Sequence, residues 1–193
     1  MRNVYTKVHN LHFEEYQLME HLDKQEYNRT KDDETDENYD YSYSDRLQEL
    51  ELLFYRIHRV STLLMIYSFL EHSMMRICSI YEKKLNIPIS VSELSGSGIY
   101  RCKIYLSKFV NFDFDEKSIK QDWDFLQIMN KLRNSLAHEE GYLSEKSKIK
   151  AKTINGTPGL SMYHDTILIS HEFVLDAFNT TERLLIRLCE NKI

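Results

Sequence analysis

The sequence predicts an all-α fold, a bundle of four to five helices with a small β-hairpin inserted before the last helix. Apolar residues recur every three or four positions along several long stretches, which is the spacing of one face of an α-helix. Gly and Pro, which many short strands would need at their turns, number only 5 and 2 among 193 residues. This length suffices for one well-cored domain and is short for two.

The chain divides into three predicted segments: an N-terminal helix (1–27), an acidic flexible linker (28–45) and a helical domain (46–193). Positions 29–45 hold two basic and seven acidic residues, a net charge of −5 that equals the charge of the whole chain. The remainder is neutral, without the basic excess of a protein that coats nucleic acid. We interpret the linker as a solvated segment. The alternative is an acidic mimic of nucleic acid that occupies the active site.

The helical domain begins with one long amphipathic helix predicted over residues 46–84, which Ser44 or Asp45 would cap. Its predicted buried face comprises Leu50, Leu53, Ile57, Val60, Leu64, Tyr67, Met74, Ile77 and Tyr81. A connection over residues 85–96 leads to a shorter helix at about 97–110. We interpret Gly96-Ser97-Gly98 as a helix cap, because it lacks the full glycine pattern of a phosphate-binding loop.

A second long helix is predicted over residues 116–140, after a break at 112–114, with Gly141 as a left-handed stop. Its predicted inward side chains are Ile119, Trp123, Leu126, Met129, Leu132 and Leu136. The run NGTPG at 155–159 predicts the turn between two short strands, and His164-Asp165 predicts a turn in the same hairpin region. Ser170 would cap a final helix over about 171–190.

Cysteine spacing and hydropathy exclude several classes of protein. The three cysteines form no CxxC pair, so neither a thiolate zinc site nor a disulfide framework is expected. The longest apolar-rich run, residues 60–70, is shorter than the roughly 20 residues that cross a bilayer. The N-terminus has no apolar signal segment. We therefore expect a cytoplasmic protein that needs no cofactor, metal ion or membrane.

The stretch from Asn130 to Gly141 carries the clearest chemistry. It places Arg133, Asn134 and His138 near the end of the second long helix. Histidine can take the proton of an RNA 2′-hydroxyl because its ordinary pKa lies near working pH. Arginine offers a planar fork of donors to a phosphate, and asparagine can orient either group. The combination suits cleavage of a phosphodiester without a metal ion.

The spacing of these residues limits how they can meet. Asn134 and His138 are four apart and share a helix face, whereas Arg133 and His138 lie about 140° apart around an ideal helix. Either the helix loosens before Gly141, or the long arginine reaches round, or the site combines two chains. The alternative is an Arg133 in a surface ion pair and a His138 that merely belongs to the helix end.

The run KLRNSLAHEEG, residues 131–141, resembles the R-x4-6-H signature of HEPN (higher eukaryotes and prokaryotes nucleotide-binding) domains, including the polar residue after the arginine that their ribonuclease members favour. The long helix that carries Phe69-Leu70-Glu71-His72, followed by a shorter helix, is also similar to that family. The resemblance covers about residues 46–190. It implies an Arg133–His138 catalytic pair supported by Asn134, in a homodimer whose two pairs line one cleft.

The resemblance further implies an RNA substrate, attack of the 2′-hydroxyl on the adjacent phosphate and a 2′,3′-cyclic phosphate product. Such proteins commonly act as toxins or anti-phage defence effectors, so a regulatory or antitoxin partner is expected. Lys131 could contact the RNA backbone, and Glu71 could be a partly buried acid that supports the site. The alternatives are a solvated lysine and a polar Glu71–His72 pair on the outer face.

One toxin branch of that family carries a tyrosine two residues after the histidine, where this chain has Glu140. Silencing by modification of that tyrosine is therefore not expected here. The alternative function is a non-catalytic module that binds a protein, a nucleotide or RNA. Such a module would act as a sensor or as one half of a toxin–antitoxin pair.

Overall fold

The computed structural model describes residues 2–30, 55–139, 141–143, 147 and 149–191. Positions 31–45 of the predicted linker, with its two predicted capping residues, and positions 46–54 of the first domain helix lie outside the described residues. The elements are α1 (Arg2–Thr30), α2 (Arg56–Lys84), a 3₁₀ turn (Val91–Glu93), α3 (Gly98–Phe109), α4 (Lys117–His138), α5 (Ala151–Asn155), β1 (Leu160–Tyr163), β2 (Thr166–Ile169) and α6 (His171–Glu190). The predicted helical architecture with one antiparallel hairpin before the last helix is confirmed.

The chain forms two compact units, residues 1–62 and 63–193. In the first unit, aromatic contacts hold α1 to the beginning of α2. The ring of Tyr5 stacks on His58 with centroids 5.1 Å apart, and the ring of His9 meets Tyr55 with centroids 5.8 Å apart. Both tyrosines are buried. Across the described ranges, no helix combines the length and the apolar character needed to cross a membrane.

Helix α2, whose residues 63–84 belong to the second unit, buries a face that is partly the predicted one. The buried residues of this face are Leu63, Ile66, Tyr67, Leu70, Met74, Ile77, Cys78 and Tyr81. The prediction for Ile57 was wrong, since its side chain is 55% exposed, and Val60 and Leu64 are only half-buried. Neighbouring apolar pairs such as Leu63–Leu64 fit two adjacent stripes, and the helix buries the stripe that contains Leu63.

Helix α4 forms the centre of the second unit. All six of its predicted inward side chains are buried, which confirms that face. The predicted break before it is also confirmed, and its two phenylalanines pack inward. The ring of Phe114 lies edge-on to Trp123 with centroids 5.1 Å apart, and Tyr100 of α3 meets the same indole at 5.9 Å. These contacts fix the start of α3 against α4.

The C-terminal end of α4 is closed by backbone bonds and by the hairpin. The amides of Glu139 and Gly141 both donate to the carbonyl of Ser135, at 2.9 and 3.2 Å. Gly141 has a φ of +78°, so the predicted left-handed stop is confirmed. Its carbonyl then accepts from the amide of Ile167 in β2 at 2.9 Å. The chain just beyond α4 is thereby paired with the hairpin.

The prediction that residues 155–159 form the turn between the strands was wrong, because they join the short helix α5 to β1. Gly156 ends α5, and Gly159, at φ +79°, passes so close to α6 that a Cβ would lie 2.8 Å from Phe173 Cβ. Gly156 therefore ends a helix, and Gly159 allows the chain to pass close to α6. The strand turn lies at His164-Asp165, as the second prediction for this region had it, and His164 has a φ of +50°.

The last helix, α6, begins as predicted. The Oγ of Ser170 accepts a hydrogen bond from the amide of Phe173 at 3.2 Å, which caps the helix. Farther along, the guanidinium of Arg183 reaches the carboxylate of Asp122 on α4 at 2.6 Å. The cap fixes where α6 begins, and the Arg183–Asp122 ion pair joins α6 to α4.

Candidate functional site

A cavity of about 370 Å³ opens in the second unit where α2, the start of α3 and α4 meet. Its lining residues are Tyr67 and Glu71 from α2, Ser97, Gly98 and Tyr100 from the start of α3, and Asn130, Lys131, Arg133 and Asn134 from α4. Of the residues singled out in the sequence, Glu71, Lys131, Arg133 and Asn134 thus line one cavity, and His138 does not line it.

A closed ring of four side chains holds the arginine. Arg133 donates from Nη1 to Oδ1 of Asn134 at 3.0 Å, and Asn134 donates from Nδ2 to Oδ1 of Asn130 at 3.1 Å. Asn130 in turn donates from Nδ2 to the hydroxyl of Tyr67. The guanidinium carbon of Arg133 lies 5.5 Å from the centroid of the Tyr67 ring, which closes the ring. Both amides use their donor and their acceptor, so the arginine is fixed from two sides.

The ring leaves hydrogen-bond donors free at the cavity. Arg133 has five N–H groups, and its only described hydrogen bond uses the Nη1 group. Tyr67 is 2% exposed, and its hydroxyl accepts from Asn130 while its own hydrogen has no acceptor among the described residues. Burial, followed by the nearby Glu71 carboxylate, raises the pKa of Tyr67 to about 12. Tyr67 therefore stays protonated at neutral pH and can donate to a ligand.

Glu71 lies beside the start of α3. A Cβ on Gly98 would lie 2.7 Å from Oε1 of Glu71, so a larger residue at position 98 would displace the end of this side chain. Gly98 also has a φ of +56°, which favours glycine independently. Because Arg133 and Lys131 line the same cavity, it carries two formal positive charges and one negative charge. It therefore offers both hydrogen-bond donors and a carboxylate acceptor to a ligand.

His138 lies on the last turn of α4 and is exposed. The helix stays regular as far as this residue, so no loosening between Arg133 and His138 brings the two side chains together. The guanidinium of Arg133 packs on Tyr67 and bonds to Asn134, so the arginine does not reach round to the histidine either. A single chain thus leaves the two groups apart. His138 follows Asn134 by one turn on the same face, a rise of about 6 Å.

Glu139 follows the histidine and is engaged by two serine hydroxyls. Its carboxylate accepts hydrogen bonds from the hydroxyls of Ser147, at 2.6 Å, and Ser135, at 2.9 Å. These two bonds hold the pKa of Glu139 below its ordinary value, with a smaller contribution from His138. Its neighbour Glu140 lies outside the described residues.

Sequence reasoning missed Tyr67, Asn130, Ser97, Gly98 and Tyr100 as site residues. Tyr67 fitted the core stripe, and it is in fact both core and cavity wall. The spacing of Asn130 and Asn134, four apart on one helix, was a signal that two amides could bond side by side. Ser97 does precede α3, but its side chain makes no capping hydrogen bond. The interpretation of this segment as a cap therefore misses its position at the cavity.

Within the described part of the chain, no group of three or more His, Cys, Asp or Glu residues is arranged to hold a metal ion. Comparisons with models of protein families, with curated proteins and with solved structures find no match.

Proposed function

We propose that this protein is a metal-independent endoribonuclease of the HEPN type. The observation that carries the proposal is the ring of side chains that fixes Arg133 at a cavity. Asn134 of this ring lies one helical turn before the exposed His138. The resemblance of residues 131–141 to the R-x4-6-H signature supports it. The helical bundle with a hairpin before its last helix agrees with that resemblance.

Each group has a role in the proposed reaction. His138 takes the proton of a 2′-hydroxyl, and O2′ attacks the adjacent phosphorus. The free donors of Arg133 bind that phosphate and the charge that builds on it. The P–O5′ bond breaks, the 5′-oxygen takes up a proton, and a 2′,3′-cyclic phosphate remains. Asn134 positions the arginine, and Lys131 contacts the RNA backbone.

The divergence of Arg133 and His138 in one chain favours a site built from two chains. In a homodimer, an interface that brings His138 of one copy to Arg133 of the other also forms the reciprocal pair, because a two-fold axis makes every contact reciprocal. The same resemblance supports a cytoplasmic toxin or anti-phage effector, held in check by a regulatory or antitoxin partner.

The first test is cleavage of transfer RNA by the purified protein in EDTA. We expect wild-type protein to leave cyclic-phosphate ends, and His138→Ala to be about 10² to 10⁴ times slower, the usual contribution of a general base. His72→Ala, an equally exposed histidine on α2, is the matched control and should cut at the wild-type rate. Cleavage that survives His138→Ala would contradict the proposed mechanism.

The two-chain site has its own test, a mixture of two inactive variants. Equal amounts of Arg133→Ala and His138→Ala form mixed dimers in half of the population. Each mixed dimer holds one intact site if the pair is shared between chains, so roughly one quarter of the wild-type rate should return. A mixture as inactive as its components would show that the two groups act within one chain.

A second candidate function is a non-catalytic binding module. It is favoured because His138 lies outside the cavity. The cavity of a single chain still offers hydrogen-bond donors and one carboxylate acceptor, which is enough to bind a ligand without cutting it. This module would bind RNA or a nucleotide tightly and leave RNA intact after long incubation with wild-type protein.

A further inference from the structure

The carboxylate of Glu71 has no part in the proposed cleavage. It is half-buried and lines the cavity, yet it accepts no hydrogen bond and pairs with no cation among the described residues. A partly buried carboxylate without partners loses solvation without compensation. Such a group is well placed to accept N–H donors from a ligand.

Hydrogen-bond donors lie directly beside this carboxylate. The first N–H groups of an α-helix have no partner within the helix, and those of Gly98, Ile99 and Tyr100 have none among the described contacts. Gly98 lies next to the Glu71 carboxylate, since a Cβ placed on Gly98 would lie 2.7 Å from Oε1 of Glu71. A second and independent donor is the buried hydroxyl of Tyr67, whose hydrogen is uncommitted.

This arrangement matches the edge of guanine. Among the four RNA bases, only guanine presents two adjacent N–H donors, N1 and the exocyclic N2, which a carboxylate accepts together. Its O6 lies next to them and would accept from the backbone amides at the start of α3. Adenine and cytosine offer a carboxylate one amino group beside an unprotonated ring nitrogen. Uracil offers a single N–H between two carbonyls.

The rest of the cavity suits the remainder of a nucleotide. Arg133 and Lys131 line the same cavity and supply two positive charges for a phosphate. The half-buried Tyr100 is a further part of the cavity wall. A volume of about 370 Å³ lies at the small end of ligand cavities and fits one nucleotide better than a folded RNA element.

We propose that this cavity selects guanosine, with the base on Glu71 and the 3′-phosphate on Arg133. If the protein is the ribonuclease proposed above, on which this step rests, the cavity directs cleavage to the 3′ side of guanosine. Glu71 is then the residue that determines specificity. Arg133 links base selection to the phosphate that is attacked.

Calorimetric titration with ribonucleoside 3′-monophosphates tests the inference on wild-type protein. Guanosine 3′-monophosphate should bind about tenfold more tightly than the inosine analogue, which lacks N2, and about a hundredfold more tightly than the adenosine analogue. Equal affinity for the guanosine and adenosine compounds would overturn the inference, and so would a lack of binding. Because the same protein is used with every ligand, a difference in affinity between the ligands cannot come from misfolding of a variant.

A matched pair of variants identifies the carboxylate responsible. Glu71→Gln should weaken binding of guanosine 3′-monophosphate about tenfold or more, and leave the adenosine compound within about threefold of its wild-type affinity. Glu82→Gln changes another half-buried glutamate of α2 that lies outside the cavity, and should leave both affinities unchanged. A guanosine preference that survives Glu71→Gln would show that Glu71 does not select the base.

The two proposals can fail separately. His138→Ala should slow cleavage about 10² to 10⁴ times and keep the guanosine preference. A guanosine preference in a wild-type protein that never cuts RNA would refute the ribonuclease and retain the guanosine cavity. Cleavage after all four bases at similar rates would refute the guanosine cavity and retain the ribonuclease.

Discussion

Replacing Tyr67 by phenylalanine tests the ring around Arg133 through the pH dependence of stability. The substitution keeps the aromatic face on which the guanidinium of Arg133 lies and removes only the hydroxyl. At pH 8 it should lower the free energy of unfolding by about 1–3 kcal/mol, because the donor of Asn130 is left without its acceptor in a part-buried position.

At high pH the wild-type protein loses this advantage. The pKa of Tyr67 is raised from 10 to about 12, so the folded state favours the neutral phenol more than the unfolded state does. The resulting stability is fully present below pH 10 and is lost as the pH rises to 12. Two pKa units correspond to about 2.7 kcal/mol in total, of which about 1.4 kcal/mol is lost by pH 11.

The assay is urea unfolding at pH 8 and pH 11, followed by the fluorescence of Trp123. This residue is the one tryptophan of the chain and is buried in the same helix as Arg133. The difference between wild type and Tyr67→Phe should shrink by about 1.4 kcal/mol between the two pH values. Tyr163→Phe, at an exposed site in the hairpin, is the control. A difference that stays constant from pH 8 to pH 11 would refute the coupling between Tyr67 burial and its ionisation.

Two further substitutions test the ends of the site helices. Glu139→Gln should flatten the acid limb of the stability curve. The lowered pKa of Glu139 contributes stability above pH 4.5, and this contribution is lost as the pH falls through the pKa of the folded state. Urea midpoints of wild type and variant at pH 6 and pH 3 measure the loss, and parallel shifts in both proteins would contradict it. Gly98→Ala should lower the unfolding free energy by about 1 kcal/mol or more, and it should weaken nucleotide binding by disturbing the position of Glu71. Gly96→Ala is strained too, at φ +97°, but the space around its Cβ is open, so this variant should leave nucleotide binding intact. Equal losses of binding in the two variants would show that the clash at Gly98 is not the cause.

The sequence was most informative where periodicity and caps are unambiguous. The inward face of α4, the stop at Gly141 and the cap at Ser170 were all predicted, since each depends on residues within one or two turns of helix. The face of α2 was predicted only in part. Adjacent apolar residues such as Leu63 and Leu64 satisfy two stripes equally, and only the packing of neighbouring helices decides between them.

The candidate site was predicted as single residues and not as an arrangement. Arg133 and Asn134 are recognisable from a local motif. The ring of contacts that fixes them includes Tyr67, which lies 66 positions before Arg133 in the chain. The approach of Gly98 to Glu71 depends on how α3 packs against α2. Such long-range contacts follow from tertiary packing, which local spacing does not encode.

The pairing between the chain after α4 and the hairpin links His138 to a distant segment. Gly141 bonds to Ile167, and Leu143 bonds to Asp165. Local opening of a two-stranded hairpin requires far less free energy than global unfolding. When β2 detaches, the chain just beyond α4 loses this pairing, and the last turn of α4, which carries His138, loses the backbone support that it provides. The hairpin amides and the amides at the end of α4 should therefore exchange hydrogen as one unit, ahead of the middle of the helix.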